Sequence, residues 1–194
     1  MLNDLVKANR SCRRFYEDHA VKLKQLQDLV DLARLSASAA NFQPLKYILA
    51  CQPEMNVKIF SCLAWAGYLK NWPGPGPGER PAAYIVILGD TEISKNFGCD
   101  HGIAAQSILL GAREKGLAGC VLNSINREAL QEILNIEASF QILLVLAIGK
   151  PKEEIVIETV GPDGSIRYWR DAKEVHHVPK RALNDVIVAS YEPQ

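Results

Sequence analysis

Between residues 23 and 35 the apolar side chains Leu23, Leu26, Leu29, Val30, Leu32 and Ala33 recur at helical spacing, with Lys24, Gln25, Gln27, Asp28, Asp31 and Arg34 between them. This pattern predicts an amphipathic helix. Small and amide residues follow, Ser36-Ala37-Ser38-Ala39-Ala40-Asn41-Phe42-Gln43-Pro44, a loop leading into the strand Lys46-Tyr47-Ile48-Leu49-Ala50. Residues 55–69 carry a weaker helical pattern. In Trp72-Pro73-Gly74-Pro75-Gly76-Pro77-Gly78 proline and glycine alternate, which excludes regular structure and leaves either a short linker or a loop over a site. Chain order then gives an apolar strand, Ala83-Tyr84-Ile85-Val86-Ile87-Leu88, and a helix over residues 100–115. In the middle of that helix Ile103, Ala104, Ala105, Ile108, Leu109, Leu110, Gly111 and Ala112 leave almost no polar face. Such a helix is either central or covered in part by a second subunit, and a homodimer is the favoured reading.

The helix stops at Gly116, Leu117-Ala118-Gly119-Cys120-Val121-Leu122 follows, and Asn126 is placed to cap a helix over residues 127–134. The aliphatic run 141–148 reads as a strand covered on both faces, at the centre of a sheet. Two further extended stretches, 155–160 and 165–170, flank the turn Gly161-Pro162-Asp163-Gly164, which predicts a hairpin. The tail carries a basic pair, Lys180-Arg181.

Composition narrows the function. A chain of 194 residues, 48% hydrophobic, can bury one substantial core, so a single domain over residues 1–194 is expected. Lys+Arg and Asp+Glu number 22 each, and this zero net charge argues against nucleic acid or an anionic membrane surface as partner. The five cysteines, Cys12, Cys51, Cys62, Cys99 and Cys120, form no CxxC pair and suggest a reducing compartment. Met1-Leu2-Asn3-Asp4 does not start a basic region with an apolar core behind it, and no stretch approaches the roughly 20 apolar residues of a membrane span. A cytoplasmic protein is expected.

Familiar catalytic signatures are missing. There is no G-x-G-x-x-G or G-x-x-x-x-G-K-[ST] after a strand, no G-x-S-x-G and no H-E-x-x-H. The adjacent His176 and His177 would point to opposite faces of an extended chain, a poor start for a metal site. Asp100, beside His101 at a helix start, reads as a cap or dipole partner. With no nucleophile in evidence, the reaction would fall to a cofactor, with no catalytic side chain and no metal. One cluster does suit an anion: Arg10-Ser11-Cys12-Arg13-Arg14-Phe15 sets three guanidinium groups and a hydroxyl in one turn-sized stretch. Arginine forks match phosphate oxygens two at a time.

That stretch, the loop Ala37-Ser38-Ala39-Ala40-Asn41-Phe42-Gln43-Pro44-Leu45, and Asp100-His101-Gly102-Ile103-Ala104-Ala105-Gln106 running into Gly116-Leu117-Ala118-Gly119 stand in one order along nearly the whole chain. Together with Lys180-Arg181 they resemble the FMN-dependent nitroreductase family. Ala37 and Leu45 depart from the proline and tryptophan of the family loop.

The resemblance implies an α+β fold with a mixed, mostly antiparallel central sheet flanked by helices. It also implies an obligate homodimer with FMN at the interface and a C-terminal segment, about 171–194, packed on the partner subunit. Arg10, Ser11, Lys180 and Arg181 would hold the non-covalent FMN phosphate, and Arg13 the pyrimidine edge of the flavin. Ser38, Asn41 and Gln43 would bond the ribityl chain or ring, the 38–41 stretch reaching from the partner. Leu122, Asn123 and Ser124 would pass the reactive edge of the flavin. Arg14 is expected in an ion pair instead. The implied activity is ping-pong reduction of nitroaromatic, quinone or similar small-molecule acceptors by NAD(P)H. The alternatives are a specialised relative (a dehalogenase, a thiazoline oxidase or a flavin-consuming enzyme) and a flavin-binding protein without turnover.

Overall fold

The computed structural model describes residues 1–193. In chain order the elements are α1 (Leu2–Ala8), β1 (Phe15–Tyr16), α2 (Leu23–Arg34), a 3₁₀ turn (Ala39–Asn41), β2 (Leu45–Ala50), α3 (Pro53–Ser61), β3 (Ala83–Asp90), α4 (Asp100–Glu114), β4 (Ala118–Leu122), α5 (Arg127–Leu134), β5 (Phe140–Pro151), β6 (Ile155–Thr159), β7 (Trp169–Arg170), β8 (His176–Lys180) and α6 (Leu183–Val186). The backbone gathers into two compact units, residues 1–65 with 73–152, and residues 66–72 with 153–193.

The first unit is built on an antiparallel sheet. β5 is its central strand and pairs with β1, β3 and β4, and β2 lies beyond β3. The unbroken apolar runs of β3 and β5 have the reason expected of a doubly covered strand. Ile85 and Ile87 meet Leu26 and Leu29 of α2 and Ile108 of α4 in one buried cluster with Leu144, Leu146 and Ile148. The alternate residues, such as Tyr84, are equally buried against the opposite face. Each such aliphatic side chain stabilises the fold by about 1.5–3 kcal/mol.

Helix α4 packs against α2 where Gly111 has no side chain, since a Cβ there would collide with Leu32. Only part of α4 is enclosed: Ala104, Ala105, Ile108, Leu109 and Ala112 are buried, Ile103 and Leu110 are half-buried, and Gln106 is exposed. The all-round burial expected of it is not met within one chain. Its end is explicit. Gly116 adopts φ +73°, and the Leu117 N–H returns to the Ala112 carbonyl at 2.9 Å. Asn126 caps α5 as its sequence position indicates, its side chain accepting from the Ala129 N–H at 3.2 Å.

Two expectations are corrected. The helix read over 55–69 begins at Pro53 and stops at Ser61, and the residues beyond it run irregularly through the Gly/Pro loop. Proline at the first helical position explains the earlier start. The hairpin does not form, although its turn does: Gly164 has φ +68° and its N–H donates to the Gly161 carbonyl at 3.0 Å. In the second unit β8 lies between the two strands, parallel to β6 and antiparallel to β7. The central place of β8 buries His176 completely and stacks His177 on Trp169, with ring centroids 4.1 Å apart.

Candidate functional site

The segment after α1 runs beside the start of β4. Ser11 bridges Gly119 in parallel, and the Cys12 N–H donates to the Gly119 carbonyl at 2.9 Å. These contacts place Arg10, Ser11 and Arg13 along the edge of the strand that ends in Leu122. The Arg10 guanidinium folds back on its own helix, donating from Nε to the Asn9 carbonyl at 2.6 Å and from Nη2 to the Val6 carbonyl at 2.8 Å. A cation is favoured at that carbonyl end. Burial lowers the Arg10 pKa from its usual value, but a guanidinium stays charged at neutral pH. Among the described residues no carboxylate pairs with it, so Arg10 keeps an uncompensated charge and further N–H donors. Arg13 Nη1 lies 3.4 Å from the Ser11 carbonyl. Arg14 Nε pairs with Glu79 at 3.1 Å, the ion pair expected of it.

The loop after α2 is held by Asp100, whose sequence position reads as a helix cap or dipole partner. Asp100, at the start of α4 and 4% exposed, accepts from the Ser38 hydroxyl at 2.6 Å and from the Ala39 N–H at 3.0 Å. The Ser38 oxygen in turn accepts from the Gln43 N–H at 2.9 Å. Its proton is therefore committed to Asp100, and Ser38 acts here as a staple for the loop. The staple supports backbone that β-carbon sterics disfavour, with φ of 45° at Ala40, 57° at Asn41 and 52° at Gln43. Gln43 Nε2 donates to the Asn41 carbonyl at 3.2 Å. The loop bounds a cavity of about 150 Å³ that Tyr47 also lines; burial pushes the Tyr47 hydroxyl up to about 12, assisted by the Asp100 charge.

At the far end of β4, Leu122 is buried and pairs with Val145. Asn123 Oδ1 accepts from Arg127 Nη2 at 2.6 Å, and Arg127 Nε donates to the Ile142 carbonyl at 3.0 Å. The Ser124 carbonyl accepts from the Ala64 N–H at 3.0 Å, fastening the segment after α3 to this strand end. Arg127 was not singled out in the sequence; a basic residue directly after an N-cap is the only signal it leaves.

Lys180 ends β8 and Arg181 follows it, exposed, in the second unit. The aromatic region 65–72 divides between the units. Trp65 packs on Phe60 at 5.8 Å in the first, while Tyr68 meets Tyr168 at 5.0 Å and Trp72 lies 4.4 Å from the Arg170 guanidinium in the second. In that unit His177 bonds Glu158 through Nδ1 and approaches Asp171 at 3.4 Å through Nε2. The Glu158 bond, opposed by burial and helped by Asp171, raises the His177 pKa.

The nitroreductase family model matches residues 6–72 and 78–150, and the chain belongs to the nitroreductase family. A protein of Archaeoglobus fulgidus provisionally named NADH dehydrogenase/NAD(P)H nitroreductase is 29% identical over 149 residues, covering 73% of this chain and 80% of that protein. One of Bacillus subtilis, provisionally named NAD(P)H nitroreductase MhqN, is 24% identical over 191 residues, with 77% and 88% covered. Among solved structures, the FMN-dependent nitroreductase of Clostridium difficile R20291 superposes with a TM-score of 0.64 at 25% identity, covering 79% of this chain and 89% of its own. A nitroreductase family protein of Clostridium novyi NT covers 96% and 99% with a TM-score of 0.64; at 18% identity it speaks to the fold alone. The α+β architecture is that of the family, and the chain is an oxidoreductase of the nitroreductase type.

Proposed function

We propose that the protein is a cytoplasmic, FMN-dependent NAD(P)H oxidoreductase, a homodimer that reduces nitroaromatic, quinone or similar electron-poor acceptors by a ping-pong route. The observation that carries this reading is the Arg10 cation without a carboxylate partner, set with Ser11 on the edge of β4. This donor set fits a phosphate monoester: guanidinium N–H groups left over from the helix carbonyls, and a neutral hydroxyl beside them. When bound, FMN supplies the two-electron chemistry, accepting hydride from NAD(P)H and passing reducing equivalents to the acceptor.

The residues of the chain do the rest. Arg10 and Ser11 anchor the phosphate, and Lys180 and Arg181 are assigned to it on the resemblance alone. Arg13 offers positive charge to the pyrimidine edge, where negative charge gathers on reduction. Asn41 and Gln43, on a loop stapled by Ser38 and Asp100, present amides to the ribityl chain or ring. The backbone at Leu122, Asn123 and Ser124 follows the reactive edge, with Asn123 held by Arg127. Exposed Leu183, Val186, Ile187, Val188 and Tyr191 support a tail that packs on a partner subunit. Five cysteines without a CxxC pair support a reducing compartment.

Titration of the apo-protein with FMN, followed by quenching of flavin fluorescence, tests the anchor. Arg10→Ala is expected to weaken FMN about 10- to 100-fold, the worth of charge-assisted hydrogen bonds, while the apo-protein keeps its cooperative unfolding. Equal affinity in the two proteins refutes the assignment.

A further inference from the structure

Where β4 ends, β5 changes register. Ile87 of β3 faces Leu144 and Leu88 faces Ile142, so Leu143 is an extra residue on β5, and β4 pairs no further than Leu122 with Val145. Arg127 occupies the corner this leaves. Its Nε donates to the Ile142 carbonyl at 3.0 Å, and its Nη2 lies 3.4 Å from the Leu143 carbonyl and donates to Asn123 Oδ1 at 2.6 Å. As the first residue of α5 it stands where the helix dipole disfavours a cation, and among the described residues no carboxylate pairs with it. The oxygens it bonds are all neutral. The backbone of the same stretch is held by other means: the Ala64 N–H donates to the Ser124 carbonyl at 3.0 Å, and the Asn126 N–H to the Cys62 carbonyl at 2.8 Å. What the guanidinium adds is the orientation of the Asn123 side chain.

That orientation decides what Asn123 offers. A guanidinium only donates, so the amide turns its oxygen to Arg127 and keeps its NH2 for something else. Asn123 is exposed, and its Nδ2 has no acceptor among the described residues. An unrestrained asparagine presents a donor or an acceptor by rotating about its last bond; this one is committed to donating. Gly119, beside Ser11, and Asn123 are four residues apart, about 13 Å in extended chain, so the donor stands at the opposite end of β4 from the anion anchor. On the FMN reading, on which this inference rests, that end follows the reactive edge. Nitro and quinone oxygens carry lone pairs and no proton, and they gain negative charge on reduction, which an N–H donor favours.

We propose that Asn123 determines specificity by donating from Nδ2 to the nitro or quinone oxygen of the electron acceptor, and that Arg127 is the positioning residue that holds the amide in the donating orientation. The FMN-loaded chain, reduced by NAD(P)H, is assayed with tetramethyl-1,4-benzoquinone and with hexaammineruthenium(III), whose ligands carry no free lone pair. Asn123→Leu is expected to lower the ratio of the two kcat/KM values about tenfold, the worth of one hydrogen bond to a developing charge. For the neutral quinone, Arg127→Met should lower kcat/KM about threefold in the wild-type background and cost nothing further once Asn123 is replaced. Arg127→Lys still donates to the amide oxygen and should restore most of the loss. In the ¹⁵N-labelled full chain without added FMN, the side-chain amide signals of Asn123 should move toward those of a free asparagine in Arg127→Met. The proposal is overturned if the ratio survives Asn123→Leu, if Arg127→Met costs the same in both backgrounds, if Arg127→Lys restores nothing, or if the side-chain signals stay in place. A wild-type chain that takes up no FMN overturns the FMN reading and this inference with it; one that turns over with an unaltered ratio overturns the inference alone.

Discussion

At the scale of single residues, the burden on Asp100 is the feature that the linear chain conceals most completely. Its place at a helix start was legible as a cap or dipole partner, but its bond to Ser38 spans 62 positions and no local pattern encodes it. Two donors meet one buried carboxylate, and the proton of Ser38 is spent within the fold. Asp100→Asn is expected to cost about 1–3 kcal/mol in urea unfolding, because two charge-assisted bonds become weaker ones and one amide hydrogen is left against a donor. An unchanged unfolding midpoint would contradict the staple. The arginine cluster was visible as a pattern because its charges sit within five residues of one another, whereas its bridge to Gly119 spans 108 positions and was not. The pairing of Arg14 with Glu79 likewise needed the fold to bring residue 79 back to it.

At the scale of elements, turns and caps were legible and strand partners were not. The Gly161 to Gly164 turn forms, yet β6 and β7 both choose β8, because local turn chemistry fixes a reversal of the chain and not the strand that lies alongside it. Gly116 shows the opposite case, a stop signal with a complete local cause. Gly116→Ala should destabilise by about 1 kcal/mol through its left-handed backbone, where an open surrounding offers no clash to confuse the result. A loss below a few tenths in chemical denaturation would show that the φ of 73° is not held. The second sheet carries a pH dependence. Glu158, with Asp171, raises the His177 pKa above its usual value, so the folded state binds the proton more tightly than the unfolded one. The stabilisation is full below the ordinary histidine value and is lost as pH rises through the raised one. NMR titration should place His177 above 6.5, and His177→Gln should flatten this part of the stability profile between pH 6 and 8. A His177 pKa at or below that reference would count against the bond to Glu158.

At the scale of the whole molecule, the apolar pattern of α4 anticipated more cover than one chain supplies, leaving Ile103 and Leu110 half-buried. The exposed apolar side chains of the tail point the same way. Sedimentation should show a dimer at micromolar concentration, and Val188→Asp with Tyr191→Asp should shift it toward monomer; a monomeric wild-type chain would remove the partner subunit from the proposed site. Family membership was legible because the arginine stretch, the amide loop and the Asp100 helix keep their order along the chain. The division into two compact units was not, since residues 66–72 join the second unit from the middle of the sequence. Among the described residues no helix is long and apolar enough to cross a membrane.

Whether this chain holds FMN and turns it over is decided by an absorbance spectrum of the purified, FMN-loaded protein followed through anaerobic titration with NADH and with NADPH. A bound flavin spectrum is expected, bleached by one equivalent of at least one donor per site and restored by a nitroaromatic or a quinone. Protein that takes up no FMN, or a bound flavin that neither nucleotide bleaches, would contradict it.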